Sequence, residues 1–415
     1  MSIFTIGSIL VGLSALFGYL NHRHLHLPHT IGLVVIALVA SLAVIGVDIV
    51  SPSVNIAGEM VGMMKQIDFN ETLMHGMLSF LLFAGALHAD LSAFRSRRWT
   101  IAILAVVGTL ISTFVVGYCM WLLVGLSGFD LPFIWALVFG ALISPTDPVA
   151  VLGLFKTVKV SDVLHAKMAG ESLFNDGVGV VVFTVILGIA TGAGGAEGQS
   201  AGQIALLFVS EALGGAVLGL AAGYLGYRSL YRIDEASLEV LITLALVMVT
   251  FSVALALEMS GPIAMVVAGL FIGNKGLAYA MSERTRTYVL TFWTLVDEIL
   301  NSVLFLLIGM EVLVVSEVAD YLDAALIAIP VTLFGRAVSV GLPILTLSRW
   351  VGFERGTIPV LIWGGLRGGI AVALALSLPD VEYKPGILGV TYAVVLFSII
   401  VQGLTVKPLV RWVIR

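Results

Sequence analysis

A short stretch in the first half of the chain interrupts an apolar segment with two prolines and a carboxylate. The segment covers residues 131–156, and the interruption is SPTDPVAV at residues 144–151. In hydrocarbon every backbone N–H and C=O group must be satisfied within the protein, so a helix breaks there only inside protein or beside water. Broken helices that carry a charge near the middle of a membrane usually mark an ion or substrate site. The stretch therefore predicts a polytopic membrane protein with a site at residues 144–148.

The composition supports a membrane assignment. The chain has 415 residues, of which 59% are hydrophobic and 11% charged, and its mean hydropathy is +1.09. Soluble domains carry roughly 25% charged residues. The net charge of −5 argues against a nucleic-acid partner, and the single cysteine, Cys119, excludes an internal disulfide. The start lacks basic residues and leads directly into an apolar stretch, so no signal peptide is expected.

Apolar stretches near the length of a spanning helix predict an all-α fold with about thirteen transmembrane helices. They lie at residues 3–20, 30–49, 69–90, 100–126, 131–156, 162–192, 200–229, 235–257, 261–274, 286–313, 321–347, 356–379 and 386–410. Of the 21 Lys and Arg, 17 fall in alternate connections or at the C-terminal end, while the opposite connections hold Lys65 and Lys384. The excess of positive charge on cytoplasmic loops predicts a C-terminus in the cytoplasm and an N-terminus outside the cell (inner) membrane. Arg336 and Arg367 fall inside predicted spans and need partners there.

The two halves of the chain mirror each other. Seven spans after the first interruption, the twelfth span is interrupted by GGLRGG at residues 364–369. A shift of seven spans reverses the direction of a helix across the membrane. The pattern is that of an inverted repeat, in which interrupted helices at corresponding positions indicate the binding site.

The sixth span carries oxygen-bearing side chains near its middle, in the sequence GESLFNDG at residues 170–177. Ser172 and Asp176 are four residues apart and share one helix face, and Glu171 and Asn175 share the adjoining face. Hard oxygen ligands of this kind suit Na⁺ or Li⁺. A buried carboxylate also accepts a proton, and a group that binds either ion, but not both, is sufficient for exchange. Asp176 as a satisfied structural charge is the alternative.

The charged residues Arg336, Glu171 and Asp147 inside the spans predict supporting contacts. Arg336 needs a buried partner, because an unpaired buried charge costs several kcal/mol, and Glu171 with Asn175 on one face is able to supply it. Glu171 as an ion ligand is the alternative. Asp147 precedes Pro148, which predicts an N-cap and a first helical residue for the second half of the fifth span.

Helix dipoles extend this argument to the second interruption. Arg367 is expected at the carbonyl end of the first half of the twelfth span, where a positive charge complements the dipole. At the first interruption, the broken backbone leaves the carbonyl or hydroxyl of Thr146 free to contact an ion.

Four stretches together resemble the monovalent cation:proton antiporters of the NhaP and Na⁺/H⁺ exchanger type. They are ISPTDPVAVLGLFK (143–156), GESLFNDGVGVVVF (170–183), NSVLFLLIGME (301–311) and WGGLRGGIAVALALSLP (363–379). The resemblance implies the antiporter fold, with two broken, crossing helices in a mobile core and a homodimeric scaffold. The implied units are scaffold helices 1–3 (1–96), core helices 4–6 (97–192), linker helix 7 (193–230), scaffold helices 8–10 (231–315) and core helices 11–13 (316–415).

The resemblance also implies roles for individual residues. Asp176, Ser172 and the backbone of Thr146 would coordinate the cation, and Asn175, Arg336 and Glu171 would form a cluster. The pair Asn175-Asp176, in place of two aspartates, is similar to the branch regarded as electroneutral. Some members carry an acidic residue in the third span, where this chain reads LLFAG at residues 81–85, so a ligand from that helix is not expected.

These observations predict a secondary antiporter that exchanges Na⁺ or Li⁺ for H⁺ one for one, by alternating access, with both ions competing for Asp176. The transported ions are the only ligands expected, with no cofactor. A K⁺/H⁺ antiporter remains an alternative, because the ligand types do not separate the two cations. A cation channel is another, although no repeated carbonyl filter motif is present. An intramembrane hydrolase using Ser172 would need a nearby base, and no histidine lies at depth in any predicted span.

Overall fold

The computed structural model describes residues 3–51, 58, 62, 76–89, 91–126, 131–147, 151, 160–192, 201–313, 321–347 and 356–413. Within these ranges the chain is helical and contains no β-strand. The helices are α1 (Ile3–Leu20), α2 (His29–Val50), α3 (Leu78–Leu87), α4 (Leu91–Ile103), α5 (Thr109–Leu126), α6 (Phe133–Ile143), α7 (Asp162–Thr191), α8 (Ala201–Leu230), α9 (Ala236–Ala256), α10 (Gly261–Phe271), α11 (Glu283–Met310), α12 (Leu322–Leu347), α13 (Thr357–Trp363), α14 (Gly369–Leu376), α15 (Lys384–Phe397) and α16 (Gly403–Val413).

Several helices are extended or joined by π-helical segments, a form that often occurs at functional sites. These segments include Asn21–Leu25 after α1, Leu104–Gly108 between α4 and α5, Ile272–Gly276 after α10, and Ser398–Gln402 between α15 and α16. A 3₁₀ turn at Glu311–Leu313 follows α11.

The all-α, polytopic fold class is confirmed. Among the described residues, 10 helical stretches are long and apolar enough to cross a membrane. The shorter apolar α3, the interrupted α6 and the pair α13 and α14 correspond to the remaining three predicted spans. The thirteen predicted segments therefore each have a helical counterpart.

Some predicted boundaries were wrong. Residues 91–99 were expected in a connection before the fourth span, but they form the first turns of α4. His22 and His24, expected in a loop, lie in the π-helical segment after α1. The apolar residues of a helix determine which part of it lies inside hydrocarbon. The polar turns beyond that part also remain helical, because they continue the hydrogen-bond pattern of the same helix.

Serine caps mark the starts of α7, α10 and α11, as local sequence rules predict. The side-chain oxygens of Ser161, Ser260 and Ser282 each accept a hydrogen bond from the backbone N–H three residues later. Gly192 ends α7 in the left-handed conformation (φ 65°), which favours glycine. Ser161 and Gly192 therefore fix the two ends of α7, and with them the depth of the polar residues in its middle.

Buried apolar side chains form two main clusters. The larger one is centred on α5, α6, α12, α14 and α15, with Phe139 and Tyr392 among its members. The second is centred on α3, α9, α10 and α11, where the rings of Phe83 and Trp293 pack with centroids 4.7 Å apart. The numbered division into scaffold, linker and core units stays a prediction.

Candidate functional site

Two interrupted helices meet where their helical structure breaks. The first interruption follows α6, at residues 144–147, and the second lies between α13 and α14. The backbone N–H of Asp147 donates to the carbonyl of Leu366 over 2.8 Å, and the two residues form an isolated antiparallel bridge. The two predicted interruptions therefore meet in space, backbone to backbone.

Arg367 binds the first interrupted helix rather than its own. Its Nη1 donates to the carbonyl oxygens of Ser144 and, over 3.0 Å, of Pro145, at the end of α6. The expected position, at the carbonyl end of α13, was wrong. The crossing places the end of α6 beside Arg367, and the carbonyls of any helix end attract a positive charge.

Arg336 occupies the place that was expected for Arg367. Its Nε and Nη2 donate to the carbonyl of Leu361 in α13, over 3.2 and 2.9 Å. A Cβ atom on Gly365 would collide with the guanidinium, so glycine permits this close approach. Each interrupted helix thus has its carbonyl end bound by an arginine from another segment.

The buried ion pair predicted from the sequence is present. Nη1 of Arg336 donates to Oε1 of Glu171, and Nη2 donates to Oε2 over 3.1 Å. Both side chains are buried. The two parallel hydrogen bonds are the geometry in which arginine and carboxylate interact most strongly, and they engage the charge of Glu171 away from the cation ligands.

Asp147 lies against the start of α14. A Cβ atom on Gly368, the residue before that helix, would collide with the Asp147 carboxylate. A negative charge at a helix N-terminus is favourable. Pro148 and the helical half that follows it lie outside the described residues, so the N-cap role of Asp147 for that half stays a prediction.

Thr146 is the point where α7 contacts the first interruption. Its backbone N–H donates to Oδ1 of Asn175 over 3.3 Å, and its hydroxyl accepts from Nδ2 of Asn175 over 2.8 Å. The Thr146 and Ser172 hydroxyl oxygens lie 3.1 Å apart. Asn175 therefore orients Thr146, and it makes no hydrogen bond to the pair of Arg336 and Glu171 with which the sequence grouped it. Its amide oxygen and one of its two N–H groups bond to Thr146.

Asp176 lies one turn beyond Ser172 on α7 and is 7% exposed. Its Oδ1 has no hydrogen-bond partner among the described residues. A proton or a monovalent cation would supply the partner that this oxygen lacks, and the hydroxyls of Ser172 and Thr146 are oxygen donors for a cation.

The described part of the third span, residues 76–89, contains no acidic residue. Ala84, the variable position of the LLFAG stretch, is fully buried. Two further polar contacts lie elsewhere. Nε2 of His29 is 2.8 Å from Oγ of Ser302, and Asn301 donates to Asp297 over 3.1 Å.

Sequence reasoning missed two polar residues in the last span. Oγ of Ser398 accepts from the backbone N–H of Arg367 over 2.8 Å, and it donates to Oε1 of Gln402 over 2.6 Å. Nε2 of Gln402 donates to the carbonyl of Trp363 over 3.1 Å. Their signal in the sequence was a serine and a glutamine four residues apart in an apolar span.

Comparison with known proteins gives a consistent result. The family model described as "Sodium/hydrogen exchanger, transmembrane" matches residues 12–412. The "Na(+)/H(+) antiporter NhaP" of Pseudomonas aeruginosa is 48% identical over 406 residues, which cover 97% of this chain and 95% of that protein. The "Na(+)/H(+) antiporter NhaH" of Halobacillus dabanensis is 38% identical, with 83% of each chain covered. The solved structure of the sodium proton antiporter MjNhaP1 from Methanocaldococcus jannaschii at pH 8 superposes with a TM-score of 0.78, at 19% identity and 99% coverage of both chains.

Proposed function

The chain belongs to the sodium/hydrogen exchanger family, and from that membership we propose that it exchanges Na⁺ or Li⁺ for H⁺ across a membrane. Two relatives, which cover 97% and 83% of this chain, carry the name Na⁺/H⁺ antiporter, and the first of them is 48% identical. The shared fold and the polar crossing of two interrupted helices are consistent with secondary transport.

The observation that carries the proposal is the environment of Asp176. Its carboxylate is buried, one of its oxygens has no partner among the described residues, and Ser172 lies one turn away. Such a group binds a proton or a hard monovalent cation, but not both. Competition for one carboxylate couples the two ions, because the site changes its occupant only when one ion leaves. Ser172 and Thr146 would complete the coordination of the cation.

Exchange is electroneutral in this proposal. Asn175 is neutral, and Glu171 is engaged by Arg336. Asp176 is then the one carboxylate of this group that changes its occupant during the cycle. One cation moves in one direction for each proton in the other, and the net charge carried is zero.

The remaining features of the proposal concern the whole assembly. The core helices (97–192 and 316–415) would move against the scaffold helices (1–96 and 231–315), linked by 193–230, and two copies would pair through their scaffolds. The distribution of Lys and Arg supports an N-terminus outside and a C-terminus in the cytoplasm. A multi-pass protein of this type would act in the cell (inner) membrane of a bacterium.

Proton flux in proteoliposomes tests the function directly. We expect Na⁺ or Li⁺ gradients to drive saturable proton movement in the opposite direction. Flux driven by K⁺ but by neither Na⁺ nor Li⁺ would replace the proposal with K⁺/H⁺ exchange. Cation flux that neither saturates nor moves protons would indicate a channel.

A further inference from the structure

The π-helical segment Ser398–Gln402 contacts both ends of the second interruption. Trp363, whose carbonyl accepts from Gln402, is the last residue of α13, and Arg367, whose N–H donates to Ser398, lies just before α14. Helix ends leave backbone carbonyls and N–H groups without partners inside the helix. Ser398 and Gln402 satisfy one of each, and the hydrogen bond between their side chains joins the two.

The same chain of hydrogen bonds continues to the first interruption. The side chain of Arg367 binds the carbonyls of Ser144 and Pro145, the two residues before Thr146. Its Nη2 has no partner among the described residues. The guanidinium is thus bound through Nη1 at the first interruption, while the backbone of Arg367 is bound through Ser398 at the second. We name this series of bonds, from Trp363 through Gln402, Ser398 and Arg367 to Pro145, the crossing relay.

The two side chains that link the relay are buried. Ser398 and Gln402 are 1% and 3% exposed. A hydrogen bond lost from such a site is not replaced at no cost by bulk solvent, because the partner remains buried and unsatisfied. Removal of either side chain should therefore displace its partners rather than leave the geometry unchanged.

The spacing of these residues matches that of the cation ligands. Ser172 and Asp176 in the sixth span, and Ser398 and Gln402 in the last, are both a serine followed four residues later by a polar residue. The two spans occupy corresponding positions in the predicted inverted repeat. Both serines contact an interruption, Ser172 at Thr146 and Ser398 at Arg367. The neutral amide of Gln402 stands where the first half has the carboxylate of Asp176.

We propose that Ser398 and Gln402 are positioning residues for the cation site, acting through Arg367 on the backbone that precedes Thr146. This inference rests on the proposed function, because its readout is the affinity for the transported cation. Neither residue touches the ion. Their loss should weaken cation binding and leave the maximal rate of exchange nearly unchanged.

The variant Ser398→Ala in proteoliposomes is the first test. We expect the KM for Na⁺ to rise about three- to tenfold, the effect of losing one buried hydrogen bond, with kcat within about twofold of the wild-type value. Ser398→Thr retains the hydroxyl and should restore the KM. Thr391→Val is the matched control, since the buried Thr391 hydroxyl of the same span donates to the carbonyl of Ile387 in its own helix.

The variant Gln402→Glu gives a second test with a different readout. A protonated glutamic acid accepts from Ser398 and donates to the Trp363 carbonyl, whereas the ionised form has no donor and is repelled by that carbonyl. The ratio of the variant KM to the wild-type KM should therefore rise with pH. This measurement also decides the matter if Ser398→Ala does not fold.

The outcomes separate the relay from the function. Wild-type protein without Na⁺-driven or Li⁺-driven proton flux would refute the proposed function. Normal wild-type flux together with an unchanged KM in Ser398→Ala, or a pH-independent KM ratio in Gln402→Glu, would refute the relay. A KM that rises equally in Thr391→Val would also refute it, because loss of any buried hydroxyl in this span would then have the same effect.

Discussion

At the scale of single residues, the carboxylates Glu171 and Asp176 differ in whether a protein group already binds them. Glu171 is engaged by two hydrogen bonds from Arg336, whereas Oδ1 of Asp176 has no partner among the described residues. A monovalent cation or a proton at Asp176 would supply the partner that this oxygen lacks.

The variant Asp176→Asn should abolish exchange, because an amide does not bind a proton near neutral pH and has no negative charge to neutralise a cation. The measurement is Na⁺-driven proton flux at matched protein incorporation. Glu283→Gln, which alters an exposed acid at the start of α11, should keep wild-type flux. Retained exchange in Asp176→Asn would assign the shared carboxylate to another residue.

The variant Ser172→Ala should have a milder effect. A single neutral oxygen ligand is replaceable by water, so we expect the KM for Na⁺ to rise by about threefold to tenfold while kcat changes little. Kinetics at saturating Na⁺ separate the two parameters. A complete loss of flux at saturating Na⁺, in a folded variant, would show that the hydroxyl does more than coordinate.

At the scale of helices, the interruptions are stabilised by charges that come from other segments. Arg367 binds the end of α6, and Arg336 binds both α13 and Glu171 on α7. These contacts join helices that lie far apart in the sequence. Local propensity does not determine such contacts, because it describes each helix alone.

The pair of Arg336 and Glu171 should be strongly coupled in stability. Removal of one partner leaves a buried charge unpaired, at a cost of roughly 3–5 kcal/mol. Arg336→Ala and Glu171→Ala should each lower the melting temperature in detergent, and the double variant should be less damaged than the sum of the two.

The exposed pair of Lys384 and Asp380, with a 3.1 Å contact, serves as the control for this cycle. Exposed ion pairs contribute little to stability. Coupling between Lys384 and Asp380 should therefore be near zero. Equal coupling in the two cycles would mean that burial does not determine the strength of the inner pair.

Most of the fold follows from the sequence, because apolar length and charge asymmetry are properties of single spans. The pair of Glu171 and Arg336 also followed, since a buried charge requires a partner. The partner of Arg367 did not, because the assignment depends on which helix end the crossing brings beside it. Asn175 and Gln402 were misjudged or missed for the same reason: an amide has no charge that restricts its choice of partner.

At the scale of the whole molecule, the two halves of the chain contribute unequal chemistry to one site. The first half supplies Asp176, Ser172 and Thr146, and the second supplies Arg336 and Arg367. The protein charges on the moving helices would then be the same whether Asp176 holds a cation or a proton. Because the two ions carry equal charge, the proposed exchange is one for one.

Electroneutral exchange predicts insensitivity to the membrane potential. Proteoliposomes with fixed Na⁺ and H⁺ gradients, in which K⁺ and valinomycin set the potential, should show the same proton flux at all imposed potentials. Flux that accelerates or reverses with the potential would mean that net charge moves. A second titrating group, such as Glu171 or Asp147, would then take part in the cycle.

The reciprocal binding of the two interruptions has a consequence for ion selectivity. Asp147 bonds to Leu366, and Arg367 binds the end of α6, so neither interruption is able to shift without the other. An ion that arrives from either face of the membrane would therefore meet one and the same set of oxygens at one spacing. The preference between Na⁺ and Li⁺ should then be equal from the two sides, and the gradients alone would decide the direction of net transport.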